Sequence, residues 1–422
     1  MTQEPRTVVL VAPPWYSIPP DGYGGTELIV DLLATELRAR WHNVVVLALE
    51  GSSNAVGLAP AAWAEDLGGP AERLRELTYA ARLHRFLGVH EGVDLVHDHC
   101  GYASLLVASL AGRTPLLHTV HGVVGEPERT FYASLGDSPR LVAISEAQRA
   151  TAPDLPWAGT VYNAVDVGAL TVARASDREP YLLCLARVSE DKGQDLAIEV
   201  ARRTGMRLVL AGKQAEGAES REFYEERVRP HVDGDRVVHL ENVAGEEKAR
   251  LLARATALLS PIRWAEPFGL NMAEAMCSGT PAIAFPRGAA PELILHEVTG
   301  FLVDDLEGMC EAVRRAPEID PRRCAREARS RFSPGAMVEG YLAVYERLLA
   351  GMAGGAPGRQ SSADDQGAGP ATTSRPPRPR TSTSTTQPPS RRRRASTAMR
   401  RSPTRTFSMR SSGHQGGSAG ST

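Results

Sequence analysis

Short apolar runs alternate with longer amphipathic segments along most of the chain, and this alternation restricts the fold more than any other feature. The runs TVVLVAP, VVVLAL, DLVHDH and PLLHTVHG are separated by helix-like segments such as TELIVDLLATELRAR. Strands that alternate with helices indicate βαβ units, in which helices cover a parallel sheet. The predicted fold class is therefore α/β.

A polar segment divides this alternation into two parts. Residues 163–180, NAVDVGALTVARASDREP, interrupt it, and it resumes with YLLCLAR, RLVLAGK, RVVHL and ALLSP. We therefore expect two doubly wound domains, residues 1–170 and 171–335, and a helix over 336–351 that crosses back to the first. Ligands of such sheets bind beyond the carboxyl ends of the strands. Functional residues are thus expected in the cleft between the domains.

The C-terminal segment differs from the rest in composition. Residues 352–422 are rich in Arg, Ser, Thr and Pro and contain almost no aliphatic side chains. They cannot bury enough apolar surface to offset the entropy of ordering, so we expect a disordered tail. The alternative interpretation is that the RRRR run at 391–394 makes weak contact with an anionic membrane surface.

Charge and cysteine content exclude several classes of protein. The formal net charge is −2, but residues 351–422 hold 12 Arg and only two acids, so the remaining body is strongly acidic. An acidic body argues against a specific nucleic-acid partner.

Five scattered cysteines form no C-x-x-C pair, and no run approaches the ~18–20 apolar residues of a membrane helix. We expect a cytoplasmic protein, peripheral at the inner membrane face if the tail binds lipid.

Glycines follow the first strand in PDGYGGTE. Gly24 and Gly25 precede a helix, whose N-terminal N–H groups could receive a phosphate. The spacing is not G-x-G-x-x-G, which disfavours a dinucleotide site. An ordinary loop is the alternative interpretation.

Histidines follow two further strands in HDHCGY and HTVHG. His97, His99, His118 and His121 could be read as metal ligands. A metal site needs three or four ligands in a closed geometry, and histidines at strand ends more often bind structure or substrate by hydrogen bonds. We therefore expect no metal, and we interpret the DGD sequence at 233–235 as a turn.

Two cations follow the strand YLLCLA. Arg187 lies at its end and Lys192 precedes the next helix; the chain has only three lysines against 45 arginines. Two cations beside a helix N-terminus suit a diphosphate. A solvated loop with a surface lysine is the alternative interpretation.

Two glutamates stand eight residues apart in WAEPFGLNMAEAMCSGTPAIA. Pro267 suits a first helical turn, which predicts Glu266 just before a helix and Glu274 two turns inside it, ~12 Å further along the axis. The N–H groups of residues 268–270 would then be free to receive phosphate or sugar oxygens. A helix-dipole partner and a helix-face charge are the alternative roles. The apolar surroundings of Glu274 imply burial, and a buried carboxylate requires a partner.

This stretch resembles the E-(seven residues)-E signature of retaining GT-B glycosyltransferases, in particular glycosyltransferase family 4 (glycosyl transferases group 1). YGGTE is similar to the glycine loop of that family, HTVHG to its histidine motif, VYNAVD to its hinge and ARVSEDKG to its diphosphate-binding pair. GAAPELI and VTGFLV resemble the segment after the glutamates. The likeness covers about residues 6–350. It implies two Rossmann-like domains, an N-terminal acceptor domain and a C-terminal donor domain.

The resemblance implies a UDP- or GDP-sugar as co-substrate, no cofactor, and a small-molecule, glycan or lipid acceptor. The catalytic residues that it implies are Glu266, His121, Arg187 and Lys192. The donor-binding residues that it implies are Gly24, Gly25, Arg187, Lys192, Glu266, Phe268, Gly269, Leu270 and Glu274.

The implied roles follow the parts of the donor. Glu274 would hold the ribose hydroxyls, and Glu266 with the 268–270 amides would hold the transferred sugar. Arg187 and Lys192 would neutralise the diphosphate, and His121 would lie near the reacting carbon. The resemblance further implies metal-independent transfer with retention, in which the leaving phosphate takes the acceptor proton.

Some features depart from the family pattern or leave alternatives open. Trp41 stands where Gly usually precedes His, and we expect the turn to change there, since Gly would supply a left-handed cap. The LAGKQ loop lacks the usual second small or acidic residue. A nucleotide-sugar epimerase, a phosphorylase or an inactive sugar-nucleotide-binding protein would share the fold. The loops around 51–70 and 122–138, expected to select the acceptor, do not identify it.

Overall fold

Two parallel β-sheets, each covered by helices, form the framework of the protein. The computed structural model describes residues 5–22, 24–65, 71–112, 114–214 and 217–353. The first sheet consists of β1 (Thr7–Val11), β2 (Asn43–Leu49), β3 (Val56–Ala59), β4 (Leu95–Asp98), β5 (Leu116–Val120), β6 (Arg140–Ala143) and β7 (Trp157–Thr160). The second consists of β8 (Tyr181–Leu185), β9 (Arg207–Ala211), β10 (Val237–Leu240), β11 (Ala257–Ser260), β12 (Ala282–Ala284) and β13 (Gly300–Leu302). The predicted α/β class with two doubly wound sheets is confirmed.

Helices connect successive strands. Those of the first half are α1 (Gly25–Ala39), α2 (Glu72–Val89), α3 (Tyr102–Ala111), α4 (Glu126–Ser134) and α5 (Glu146–Ala150). Those of the second half are α6 (Gln194–Thr204), α7 (Ala218–Phe223), α8 (Gly245–Arg254), α9 (Leu270–Cys277), α10 (Ala290–Leu293), α11 (Leu306–Arg315), α12 (Pro321–Phe332) and α13 (Pro334–Ala353). The two acceptor loops expected from the sequence contain β3 and α4.

The strand order of each sheet leaves a crevice at the carboxyl ends of its central strands. The first sheet has the order β3-β2-β1-β4-β5-β6-β7 and the second the order β10-β9-β8-β11-β12-β13, with parallel neighbours throughout. The order reverses between β1 and β4, and again between β8 and β11. Loops diverge at such a point, beyond the carboxyl ends of the strands, and leave room for a ligand.

The first sheet buries both of its faces. Val8 and Leu10 of β1 pack into one apolar core, whereas Val9 and Val11 pack into another. Successive side chains of a strand point to opposite faces, so a strand covered on both sides needs a continuous apolar run. This is why TVVLV does not alternate with polar residues.

The last helix packs against the first sheet, although it follows the second sheet in sequence. Met337, Tyr341 and Tyr345 of α13 share a core with Leu10 and Leu33. Residues 354–422, with the RRRR run and its expected membrane contact, lie outside the described residues. Among the helices that the structure describes, none is both long enough and apolar enough to cross a membrane.

Trp41 corrects one expectation from the sequence. The turn after α1 keeps its left-handed residue, because Trp41 itself adopts φ 67° and its N–H donates to the Arg38 carbonyl at 3.0 Å. Its side chain is 84% exposed. The indole therefore meets no steric barrier, and the backbone is strained instead of rearranged.

Candidate functional site

A cavity of about 310 Å³ opens at the carboxyl ends of the strands of both sheets. Both sheets belong to one compact unit. The cavity is lined by Gly25, Thr26, Ile29, His121, Gly122, Ile144, Asn163, Leu185, Ala186, Arg187, Lys192, Trp264, Glu266, Pro267, Phe268, Gly269, Leu270 and Asn271. It therefore brings together residues from all four clusters that the sequence singles out.

Two helix N-termini meet at this cavity. A Cβ atom added to Gly25, the first residue of α1, would lie 3.3 Å from Cδ1 of Leu270, the first residue of α9. A side chain at position 25 would therefore crowd the Leu270 side chain at the start of α9. Unsatisfied N–H groups at helix N-termini favour an anionic ligand.

The start of α9 differs from the predicted start. Pro267 does not open the helix; α9 begins at Leu270, after Gly269 in the left-handed region with φ 93°. Glu266 therefore lies in an irregular loop before the helix, and the predicted helix start at Pro267, on which the axial spacing of the two glutamates is based, is wrong. Phe268 and Gly269 also lie in the loop, and their N–H groups have no hydrogen-bond partner within the part of the chain that the structure describes.

A turn that follows β12 is hydrogen-bonded to the backbone of Glu266. The N–H of Ala289 donates to the Glu266 carbonyl at 2.9 Å. Gly288 has φ 54°, and a Cβ atom there would lie 2.3 Å from the same carbonyl oxygen. The GAAPELI segment thus supports the backbone of Glu266, which accounts for its glycine.

The two predicted cations flank the turn between β8 and α6. Arg187 donates from Nη2 to Oδ2 of Asp191 at 2.8 Å. Lys192 forms an ion pair with Glu266, and its Nζ also lies 5.0 Å from the centre of the Trp264 ring. A predicted cation and a predicted carboxylate from distant segments are therefore in direct contact.

Glu274 is buried, as the sequence predicts, but it does not line the cavity. It is 8% exposed, and its Oε1 accepts a hydrogen bond from Nζ of Lys248 at 2.6 Å. Lys248 lies on α8 and was distinguished in the sequence only by the rarity of lysine. The partner that burial requires is thus a residue that sequence reasoning did not assign.

His121 follows β5 and lines the cavity. Its Nε2 lies 2.9 Å from Nδ1 of His99, which follows β4. Burial lowers the pKa of His121 to about 3, and the neighbouring His118 contributes. The ring is consequently neutral at physiological pH and suited to accepting or donating a hydrogen bond.

The remaining histidines bind structural partners. His118 Nδ1 lies 2.7 Å from Oδ2 of Asp98, and His97 Nε2 lies 2.8 Å from Oγ1 of Thr119.

No group of three or more His, Cys, Asp or Glu among the described residues is arranged to hold a metal ion. Asp233 accepts backbone hydrogen bonds from Asp235 at 3.0 Å, so the DGD sequence forms the predicted turn.

Two further cavity residues were missed. Oδ1 of Asn163 and Nε1 of Trp264 are buried and lack a hydrogen-bond partner among the described residues. A buried polar atom without a partner is unfavourable unless a ligand or water satisfies it. The VYNAVD motif contains Asn163 and could have indicated it, whereas nothing in the sequence distinguished Trp264.

Comparisons with known proteins agree with this geometry. The family model for glycosyl transferases group 1 matches residues 171–331, and that for glycosyltransferase family 4 matches residues 23–168. D-inositol 3-phosphate glycosyltransferases are similar in sequence. The enzyme of Mycolicibacterium smegmatis is 24% identical over 77% of this chain and 87% of its own length. That of Saccharomonospora viridis is 26% identical over 78% of this chain and 91% of its own.

Solved structures show the same fold. AviGT4, a glycosyltransferase involved in avilamycin A biosynthesis, has a TM-score of 0.60 and 27% identity, covering 82% of this chain and all but 1% of its own. Anabaena HepE in complex with UDP and glucose has a TM-score of 0.61 and 16% identity, with 81% and 100% covered. Since the two family models match both halves of a two-sheet protein with a common cleft, the chain belongs to the GT-B glycosyltransferases of family 4.

Proposed function

We propose that this glycosyltransferase moves a sugar from a nucleotide-diphosphate sugar to an acceptor hydroxyl, with retention of configuration and without a metal. One observation carries the proposal: Arg187, Lys192, Glu266 and the amides before α9 line a single cavity. Cations and free N–H groups suit the diphosphate, while the carboxylate suits sugar hydroxyls.

The diphosphate would occupy the side of the cavity formed by Arg187, Lys192 and Gly25. Arg187 presents a planar fork of donors, whereas Lys192 is a point charge. The ion pair with Glu266 holds Lys192 at the cavity before the donor binds. A preorganised cation stabilises the negative charge that develops on the leaving phosphate.

The sugar would lie toward Glu266 and the amides of Phe268, Gly269 and Leu270, with His121 nearby. The nucleoside would extend beyond the cavity to Glu274, whose carboxylate accepts hydrogen bonds from ribose hydroxyls. The 31% exposure of the Lys248 side chain supports this arrangement, since the pair of Lys248 and Glu274 is open on one side.

Retention follows if bond breaking and bond formation occur on the same face of the sugar. The bond from C1 to the phosphate oxygen breaks, the acceptor oxygen bonds to C1, and its proton passes to the departing phosphate. Among the described residues that line the cavity, Glu266 is the only carboxylate, and it is paired with Lys192. This supports a route in which no carboxylate acts as a separate base.

Relatives of this chain suggest which acceptor to test first. Several relatives are named D-inositol 3-phosphate glycosyltransferases, at 24–26% identity. We therefore place D-inositol 3-phosphate first among the acceptors to be tested. A phosphorylated polyol would be a small-molecule acceptor in the sense expected from the sequence.

The test has two stages. Thermal unfolding in the presence of UDP- and GDP-sugars should show a raised midpoint for the true donor, because a ligand of the native state stabilises it. That donor is then incubated with candidate acceptors, and the anomeric configuration of the product is read by NMR. An inverted product would exclude retention. A donor that changes its own sugar without any acceptor would indicate an epimerase, and binding without turnover would indicate an inactive protein.

A further inference from the structure

A continuous chain of hydrogen bonds connects the last helix to the cavity. The Tyr345 hydroxyl on α13 lies 2.8 Å from Nδ1 of His97, and the same Nδ1 lies 3.3 Å from Nε2 of His99. His99 Nδ1 in turn lies 2.9 Å from Nε2 of His121. These hydrogen bonds therefore connect Tyr345, which is 248 residues from His97 in sequence, to the cavity residue His121.

The chain has a second branch on the other side of His97. Nε2 of His97 lies 2.8 Å from Oγ1 of Thr119, and Oγ1 lies 2.9 Å from the Tyr341 hydroxyl. Burial lowers the pKa values of His97 and His99 well below their ordinary value, so both rings are neutral. Each ring then carries one N–H, and the tautomer of one ring dictates that of the next.

The phenol of Tyr345 is a better hydrogen-bond donor than acceptor, and an unprotonated ring nitrogen is a strong acceptor. If Tyr345 donates to Nδ1 of His97, the His97 proton must be on Nε2, where it donates to Thr119. Nε2 of His99 must then carry the proton, because two unprotonated ring nitrogens 3.3 Å apart would repel each other, and Nδ1 of His99 is left as an acceptor. This last acceptor receives the Nε2 proton of His121.

We propose that Tyr345 is a positioning residue that holds His121 in its Nε2–H tautomer. Nδ1 of His121 is then left as a hydrogen-bond acceptor for a substrate hydroxyl in the cavity. The consequence for catalysis rests on the proposed function, because it assumes that His121 contacts the sugar or the acceptor. The tautomer itself does not depend on any activity.

Tyr345 and Tyr341, which lie on opposite sides of His97 in this network, provide a matched pair of variants. Tyr345→Phe removes the donor to His97, so the Nδ1–H form of His121 should become about tenfold more populated relative to the Nε2–H form, the ratio for one net hydrogen bond. Tyr341→Phe removes the partner of the Thr119 hydroxyl but leaves Oγ1 of Thr119 to accept the Nε2 proton of His97, so the His121 tautomer should stay unchanged. Both rings are buried and keep their shape, which preserves the packing of α13.

The measurement is the pattern of ¹⁵N and ¹³C-bound proton signals of protein labelled at histidine, with His121→Asn used to assign the signals of His121. An Nδ1–H tautomer in the native protein, no response to Tyr345→Phe, or a response to Tyr341→Phe alone would overturn the proposal. The rate of sugar transfer by Tyr345→Phe is measured in parallel and should fall in proportion to the Nε2–H fraction that is lost, by about tenfold at most, while nucleoside diphosphate binds as before. A changed tautomer with an unchanged rate would overturn the assumed contact of His121 with substrate, and leave the coupling intact.

Discussion

Nζ of Lys248 lies 2.6 Å from Oε1 of Glu274, and Lys192 is paired with Glu266 in the same way. Two of the three lysines in the chain therefore contact the two glutamates of the E-(seven residues)-E segment. A buried carboxylate without a cation would be unfavourable, so each lysine holds its glutamate in place before the donor binds.

Nucleotide binding through Glu274 should depend on Lys248. Replacing Lys248 by Met should weaken the binding of free nucleoside diphosphate by roughly 3–10-fold, because the carboxylate that is proposed to hold the ribose loses its partner. Isothermal titration calorimetry with UDP and GDP measures the effect. Arg250→Ala removes an exposed cation from the same helix and serves as the control. Equal effects of the two variants would show that only the overall charge matters.

The two glutamates should differ in their effects. Glu274→Ala should weaken the binding of free nucleoside diphosphate, typically by ~1–3 kcal/mol for a lost charged hydrogen bond. Glu266→Ala should mainly lower turnover, since its proposed partner is the sugar, and should leave the affinity for free nucleotide nearly normal. Titration with nucleotide alone and initial rates with the full donor separate these effects. The reverse order would contradict the assigned roles.

Arg187 and Lys192 should stabilise the negative charge of the leaving phosphate in place of a metal ion. We expect Arg187→Ala and Lys192→Ala each to lower turnover by ~10²–10³, the scale for loss of one preorganised donor. Arg187→Lys should not fully restore the rate, because a bidentate contact is lost. Arg202→Ala, an exposed cation on the helix after the same turn, is the control. Abolition of transfer by EDTA, with recovery on adding Mg²⁺ or Mn²⁺, would refute the metal-free mechanism.

Glu27, in the first turn of α1, should make stability depend on pH. Burial raises its pKa from 4.5 to about 7, so the unfolded chain ionises at lower pH than the folded protein. Its contribution to stability is fully present below about pH 4.5 and is lost as the pH rises through about 7, a loss of roughly 3 kcal/mol. Urea unfolding between pH 5 and 8 should show that Glu27→Gln removes this loss, whereas the exposed Glu219→Gln does not. If the free energy of unfolding changes with pH in the same way for both variants, Glu27 is not the source of the pH dependence.

The strained turn after α1 should respond to glycine. Trp41→Gly should increase the free energy of unfolding by up to about 1 kcal/mol, because a left-handed residue other than glycine costs roughly 1–2 kcal/mol and the added flexibility of glycine offsets part of the gain. Trp41→Ala keeps the unfavourable φ and should bring no such increase. A similar gain from both variants in urea unfolding would assign the effect to the exposed indole instead.

The local hydrophobic pattern was sufficient to predict the central strands of both sheets, whereas β3 and α4 lie in segments that were expected to be loops. Continuous apolar runs such as Val8–Val11 specify buried parallel strands because both faces of such a strand are covered. The cations Arg187 and Lys192 could also be placed at the mouth of the site, since they follow directly from the end of a strand. The start of α9 could not be predicted, because Pro267 favours a helix there, whereas Gly269 adopts a left-handed backbone conformation and the helix begins only after it.

By itself, the sequence determined the α/β class, the two sheets and the residue types at their carboxyl ends, because hydrophobic periodicity is a local property of the chain. Only the tertiary structure decided which of these residues meet. Lys192 and Glu266 are 74 residues apart, and His97 and Tyr345 are 248 apart. Such contacts depend on the order of strands in each sheet and on the return of α13 to the first. No local pattern encodes them, because their energy arises only when distant segments are packed together.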